Sequence, residues 1–216
     1  PIREITDRGG KSWRSYATIA CADLVGGDSG KARDWMALPE LMHVGSLMVD
    51  DVQDKSLVRR GGPAAHKLFG EAAAINAGTA CYFIGQISVY QADIDDALKL
   101  KIYHLYFEAL RAAHSGQALD IHGLEDELHL AVESGSSRRL MNRVKASHRL
   151  KSAAPAAYVA RRGALVGGGT AEQVEGLATY FNTLGMAFQI VDDTLNLKGF
   201  EADLKTKAED VSEGKV

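Results

Sequence analysis

Apolar and polar positions recur along the chain at helical spacing, and almost nowhere at the two-residue alternation of a strand. The run Leu41-Met42-His43-Val44-Gly45-Ser46-Leu47-Met48-Val49 is nearly free of charge and reads as buried helix, and it leads straight into Asp50-Asp51-Val52-Gln53-Asp54. A second such element comes late: Phe188-Gln189-Ile190-Val191 leads into Asp192-Asp193-Thr194-Leu195-Asn196. The pattern predicts helices over residues 11–24, 31–55, 66–91, 93–127, 137–166 and 171–198, broken at Gly26-Gly27, Gly61-Gly62-Pro63, Ser134-Gly135-Ser136 and Gly167-Gly168-Gly169. Pro39 should start or kink the second of them. The expected fold is all-α, in one large domain.

Acids at the end of an apolar helix are costly unless something binds them. Asp50 and Asp54 fall one turn apart on one face, and Asp51 lies about 100° round. Like charges at that spacing repel by a few tenths of a kcal/mol, so removing one should relieve strain. A divalent cation reverses the sign, and hard carboxylate oxygens suit Mg²⁺. Two acidic helix ends can hold a metal–diphosphate cluster between them. Basic residues stand nearby in sequence: Gly9-Gly10-Lys11-Ser12-Trp13-Arg14 could form a phosphate site, although a turn with two solvated cations is the plainer reading. Arg59-Arg60, just past the first acidic turn, can reach two different phosphates because neighbouring side chains diverge.

The 216 residues are 46% hydrophobic, enough for a sizeable core, and the net charge of −3 gives no reason to expect a nucleic-acid partner. Two cysteines, Cys21 and Cys81, form no zinc pattern and no disulfide framework, which suggests a reducing cytoplasm. No run is long enough for a transmembrane segment, and no signal peptide is visible. A chain beginning at Pro1 and ending at Val216 within a charged stretch looks cut from something longer. His129 and His148, with Arg138, Arg139, Arg143 and Arg149, read as a solvated face.

From His43 through Asp54, followed by Arg59-Arg60-Gly61, the sequence resembles the trans-isoprenyl diphosphate synthases, the polyprenyl synthetase family. Other landmarks follow in that family's order. Gly9-Gly10-Lys11 with Arg14 looks like its first diphosphate motif, and Gly116-Gln117-Ala118-Leu119-Asp120 like its GQxxD. Lys151-Ser152 is similar to its Lys-Thr pair, Phe188-Gln189 with Asp192-Asp193 to its second aspartate motif, and the stretch holding Lys205, Lys207 and Lys215 to its lysine-bearing tail. Asn196 departs by replacing the last acid of the second motif, Ser12 stands where Arg is common, and the family's final helices are absent.

The resemblance implies an isoprenoid-synthase type helical bundle around a central cavity, with the C-terminal helices missing. It implies a Mg²⁺-dependent prenyltransferase, with three ions per site, that condenses an allylic diphosphate with isopentenyl diphosphate as a homodimer. Asp50, Asp54 and Asp192 would bind metal directly; Asp51, Asp120, Asp193 and Asn196 would join them at one remove or more weakly. Arg59 and Lys151, with one of Lys205 or Lys207, would hold the allylic diphosphate, and Ser152, Gln189 and Lys215 would also bind substrate. Lys11, Arg14, His43 and Arg60 would hold isopentenyl diphosphate. Met42, Gly45, Ser46, Tyr82 and Phe83 would set product length. Gly45 and Ser46 are small where shorter-product members carry aromatics, so a twenty-carbon product, geranylgeranyl diphosphate, is expected. Two other readings are a class I terpene cyclase, which would lack the isopentenyl site, and a non-catalytic regulatory subunit, which would usually lack the acids.

Overall fold

The structure is a computed structural model that describes residues 1–28, 30 and 33–198. It is helical almost throughout. The helices are α1 (Ile2–Asp7), α2 (Trp13–Leu24), α3 (Ala37–Gln53), α4 (Ala65–Phe69), α5 (Glu71–Ile84), α6 (Ile87–Gln91), α7 (Asp96–His122), α8 (Glu125–Ser134), α9 (Arg138–His148), α10 (Ala154–Val166) and α11 (Ala171–Lys198). Arg33–Trp35 forms a 3-10 turn before α3, and Arg149–Ala153 a π turn between α9 and α10.

Local chemistry explains the boundaries. Pro39 starts α3 and does not kink it: it lies in the first turn, where a missing N–H costs nothing. Asp95 caps α7, its carboxylate accepting from the Ala97 and Leu98 N–H groups at 2.9 and 3.1 Å. Pro155 has no N–H to return to the preceding turn, and the residues just before it wind as π rather than α. The long helices expected over 66–91 and 93–127 are each interrupted, around Gly70 and Gly85 and at Gly123. A two-stranded hairpin, β1 (Val58–Arg59) against β2 (Gly62–Pro63), was not expected. Its two-residue turn has Arg60 at φ 52° and Gly61 at φ 72°, the left-handed pair that a type I′ hairpin requires.

Helix α10 is buried along most of its length, packed by α2, α7 and α11. Its Tyr158 and Val159 join Trp35, Leu38, Met42, Tyr82, Ile102 and Tyr106 in the larger core cluster. A second cluster of Ile5, Val44, Met48, Ala65 and Ala74 ties α1 and α4 to the other side of α3.

Helices α3 and α5 meet backbone to backbone at a glycine crossing. A Cβ on Gly45 would lie 2.4 Å from the Gly78 carbonyl oxygen, and one on Gly78 would lie 2.9 Å from the Gly45 carbonyl oxygen. Gly45 is therefore a packing residue, not a wall of any pocket. Gly45→Ala is expected to cost on the order of 1–3 kcal/mol, the usual range for overpacking a core. The measurement is thermal unfolding of the whole protein, and a melting temperature equal to wild type would refute the crossing.

Candidate functional site

One cavity of about 640 Å³ opens between α2, α3, α7, the α9–α10 junction and α11. Most residues singled out from the sequence line it: Lys11, Arg14, His43, Asp50, Asp54, Arg59, Arg60, Asp120, Lys151, Ser152, Gln189, Asp192, Asp193 and Asn196, with Met42, Ser46 and Tyr82. Lys205, Lys207 and Lys215 lie outside the described residues.

Three expected residues lie elsewhere. Asp51 is fully buried behind the wall, where Arg59 donates to it through Nε at 2.8 Å and again through Nη2. It anchors Arg59 and does not face a ligand. Burial pushes its carboxyl above the usual range, outweighing the pull of Arg59. Gly45 faces α5, as described above. Phe83 is 68% exposed, so it forms no floor; its neighbour Tyr82 turns inward, with its ring edge-on to His114 at 5.4 Å between centroids.

The basic end is built by long-range contacts. Arg8, which the sequence did not single out, donates through Nη1 to the carbonyl oxygens of Arg59 at 3.0 Å and Pro63 at 2.8 Å. Arg60 donates through Nη1 to the Ile5 carbonyl at 3.0 Å, so α1 fastens the hairpin that carries both arginines. Arg14 stacks on Trp13, its guanidinium carbon 4.7 Å from the ring centroid. Burial pulls Arg14 down to about 10, opposed by the carboxylate of Glu40 and helped by the charge of Arg60. It stays a cation at neutral pH. Glu40 also accepts from the Ser15 hydroxyl at 3.0 Å, which docks α2 on α3.

The acidic end of α3 is held by α7 and the π turn. Lys151 Nζ stands 2.7 Å from Asp120 Oδ2 and 3.5 Å from Asp50 Oδ1. Gln117 donates through Nε2 to Asp50 Oδ1 at 2.6 Å and to Gln53 Oε1 at 2.9 Å, and Arg59 Nη2 lies 3.8 Å from Asp50 Oδ2. The π turn can bring Lys151 this close because α7 presents Gly116 to it: a Cβ there would sit 2.4 Å from the Lys151 backbone nitrogen. The third group comes from α11. Gln189 donates to Asp193 Oδ1 at 2.9 Å and accepts from the Ser152 hydroxyl, while His148 Nε2 lies 2.8 Å from Asp193 Oδ2. Burial alone would raise Asp193, but the contacts of His148 and Gln189 and the charge of Lys151 hold it below the usual carboxylate range.

His148 and Arg143 correct the reading of a solvated face. Both line the cavity, and Arg143 donates to the Leu119 carbonyl at 3.2 Å. Arg138, Arg139 and Arg149 are exposed as expected. The signal for His148 was present in the spacing: three residues before Lys151 and four before Ser152, it shares their face.

No group of three His, Cys, Asp or Glu side chains able to hold a metal ion occurs among the described residues. The oxygen donors are divided between walls, Asp50 and Asp54 on one and Asp192 and Asn196 on another. That division suits a small hard cation that takes one or two carboxylates from the protein and the rest of its oxygens from phosphates and water.

The sequence matches the family model described as Polyprenyl synthetase over residues 1–216. It is 34% identical over 209 residues to a short chain isoprenyl diphosphate synthase of Methanothermobacter thermautotrophicus, which covers 96% of this chain and 61% of that one. The fold is similar to that of geranylgeranyl pyrophosphate synthetase from Pyrococcus horikoshii, with a TM-score of 0.86 at 28% identity, covering 100% of this chain and 63% of that one. It is also similar to a polyprenyl synthase from Caulobacter crescentus complexed with calcium and isoprenyl diphosphate, with a TM-score of 0.84 at 28% identity, covering 100% and 61%. The chain thus spans about three fifths of the length of each of these proteins.

Proposed function

Because the chain belongs to the polyprenyl synthetase family, we propose that the whole protein condenses an allylic diphosphate with isopentenyl diphosphate, with geranylgeranyl diphosphate as its main product. The observation that carries this reading is the cavity itself: a basic end, two acidic helix ends on separate walls, and an apolar stretch between α3, α5 and α7.

The chemistry asks for these three features. As the allylic C–O bond breaks, the leaving diphosphate gains negative charge and an allylic cation forms. Mg²⁺, three ions per site held through Asp50, Asp54 and Asp192 with Asn196 as a neutral oxygen donor, supplies the larger part of that neutralisation when bound. Lys151 and Arg59 hold the allylic diphosphate beside it, and their positions are fixed in advance by Asp120 and Asp51. Lys11, Arg14, His43 and Arg60 hold isopentenyl diphosphate at the basic end, where Glu40 acts on Arg14 and Arg60. Met42, Leu47, Leu110 and Phe188 exclude the water that would quench the cation. The departed diphosphate lies next to the proton to be lost, so no side chain serves as base.

The reading extends to assembly and place. Large apolar side chains are exposed on α5 and α7, among them Ile75, Phe83, Ile84, Leu100 and Phe107, and they supply a face for a second copy in a homodimer. Cys21 and Cys81 are both buried and free, which fits a reducing cytoplasm, and no helix among the described residues is long and apolar enough to cross a membrane.

The two diphosphate sites can be separated by kinetics. Lys11→Ala and Arg60→Ala are expected to raise KM for isopentenyl diphosphate by about tenfold, the worth of one lost charged contact, and to leave the allylic KM nearly unchanged. Lys151→Ala and Arg59→Ala should do the reverse. Steady-state kinetics of all four variants test this, and equal effects on both substrates throughout would count against separate sites.

A further inference from the structure

The contact between His148 and Asp193 gives the second acidic helix a built-in support that the reaction scheme above does not use. His148 closes α9, immediately before the π turn, and its side chain is only 12% exposed. Across the junction, both carboxylate oxygens of Asp193 are taken by protein: Oδ2 faces His148 Nε2 at 2.8 Å, and Oδ1 accepts from Gln189 at 2.9 Å. Gln189 in turn accepts from the Ser152 hydroxyl. The chain His148–Asp193–Gln189–Ser152 therefore stitches α11 to both ends of the turn that carries Lys151. Asp192 precedes Asp193 by one residue and so points about 100° away from it. An imidazole is itself a poor ligand for Mg²⁺, and this ring is turned to a carboxylate.

We propose that His148 is a positioning residue: it fixes Asp193 as a strut, so that α11 offers its cation ligands through Asp192 and Asn196 alone. The proposal rests on the prenyl-transfer reading for its metal–diphosphate cluster. It follows that His148 and Asp193 act as one unit, and that losing either loosens the cation site while the basic end is untouched.

The experiment compares wild-type whole protein with His148→Ala, His148→Gln, Asp193→Asn and the His148→Ala/Asp193→Asn double variant. Isothermal titration with Mn²⁺ and inorganic diphosphate reads the cation site without turnover. His148→Ala should weaken Mn²⁺ binding by about tenfold, the lower end for loss of an outer-shell partner. His148→Gln keeps an N–H donor and should recover most of that loss. Asp193→Asn should add no more than about twofold in the His148→Ala background, since the strut is already gone. KM for isopentenyl diphosphate should stay within the same factor in every variant. Where His148→Ala melts too low to titrate, His148→Leu keeps the volume without the donor and serves instead. Wild-type Mn²⁺ affinity in the donor-less variant would overturn the proposal. So would multiplicative losses in the double variant, or a parallel rise in KM for isopentenyl diphosphate. A protein that binds Mn²⁺ with this coupling but never condenses the two substrates would refute the proposed reaction and leave the strut standing.

Discussion

Alanine at Asp50 is expected to lower kcat by about a thousandfold or more, the upper range for removing one preorganised electrostatic group. Asp50 is where three walls meet: the Gln117 amide at 2.6 Å, Lys151 at 3.5 Å and Arg59 at 3.8 Å all reach it. Those groups place its oxygens in advance, so under the proposed reaction its loss would remove a cation ligand and also release the Lys151 and Arg59 side chains it helps to hold. The sequence alone argued that deleting a charge would relieve repulsion between Asp50 and Asp54. The structure sets the Gln117 amide and the charges of Lys151 and Arg59 against the repulsion of Asp51 and Asp54, and the attraction is expected to win. Asp50→Ala should therefore melt a few degrees below wild type without metal, with its helical content unchanged. Rates at saturating Mg²⁺ and circular dichroism melting check both parts. Near-normal turnover would remove Asp50 from the cation site and the metal-cluster reading with it.

Helix faces were legible; what lies against each face was not. Spacing put Asp50 and Asp54 on one helix face and marked a second acidic helix end at Asp192, whereas Lys151 and Asn196 were joined to them only by the resemblance to the polyprenyl synthetase family. The same spacing says nothing of which neighbour covers that side. Gly45 and Ser46 are adjacent, and one meets the α5 backbone while the other lines the cavity. Tyr82 and Phe83 divide in the same way, one inward and one 68% exposed. Asp51 could be told from a direct ligand only by finding Arg59 folded back on it from the hairpin. That hairpin has two residues per strand, too few for an alternating pattern to register. The interruptions at Gly70, Gly85 and Gly123 were hidden by helical patterns on both sides. Arg8 depended on carbonyl partners more than fifty residues away, which no local signal encodes.

Phenylalanine at Ser46 is expected to shorten the main product from twenty carbons to fifteen. Ser46 lies four residues before Asp50, about 6 Å up α3 at the helical rise, and Met42 lies about 12 Å up. Both line the cavity, with Tyr82 entering from α5. Under the proposed reaction a growing prenyl tail would leave the diphosphate end along that wall, and Ser46 would offer it only a hydroxyl turned back to the His43 carbonyl at 2.8 Å. A phenyl ring there would close the passage at the first turn. Under the proposed reaction the native stop would be deeper, at Met42 and at Tyr82, whose position is set by the Tyr106 hydroxyl donating to its carbonyl at 2.5 Å and by its contact with His114. Met42→Ala should accordingly lengthen the product. Tyr82→Ala should do the same, but removing a buried aromatic costs about 3 kcal/mol or more, so Met42→Ala is the cleaner test. Phe83→Ala should leave product length alone, because that ring points away from the cavity. Mass spectrometry of the dephosphorylated alcohols reads all four variants. The geometry fails if wild type already stops at fifteen carbons, or if an active Ser46→Phe protein makes the wild-type product.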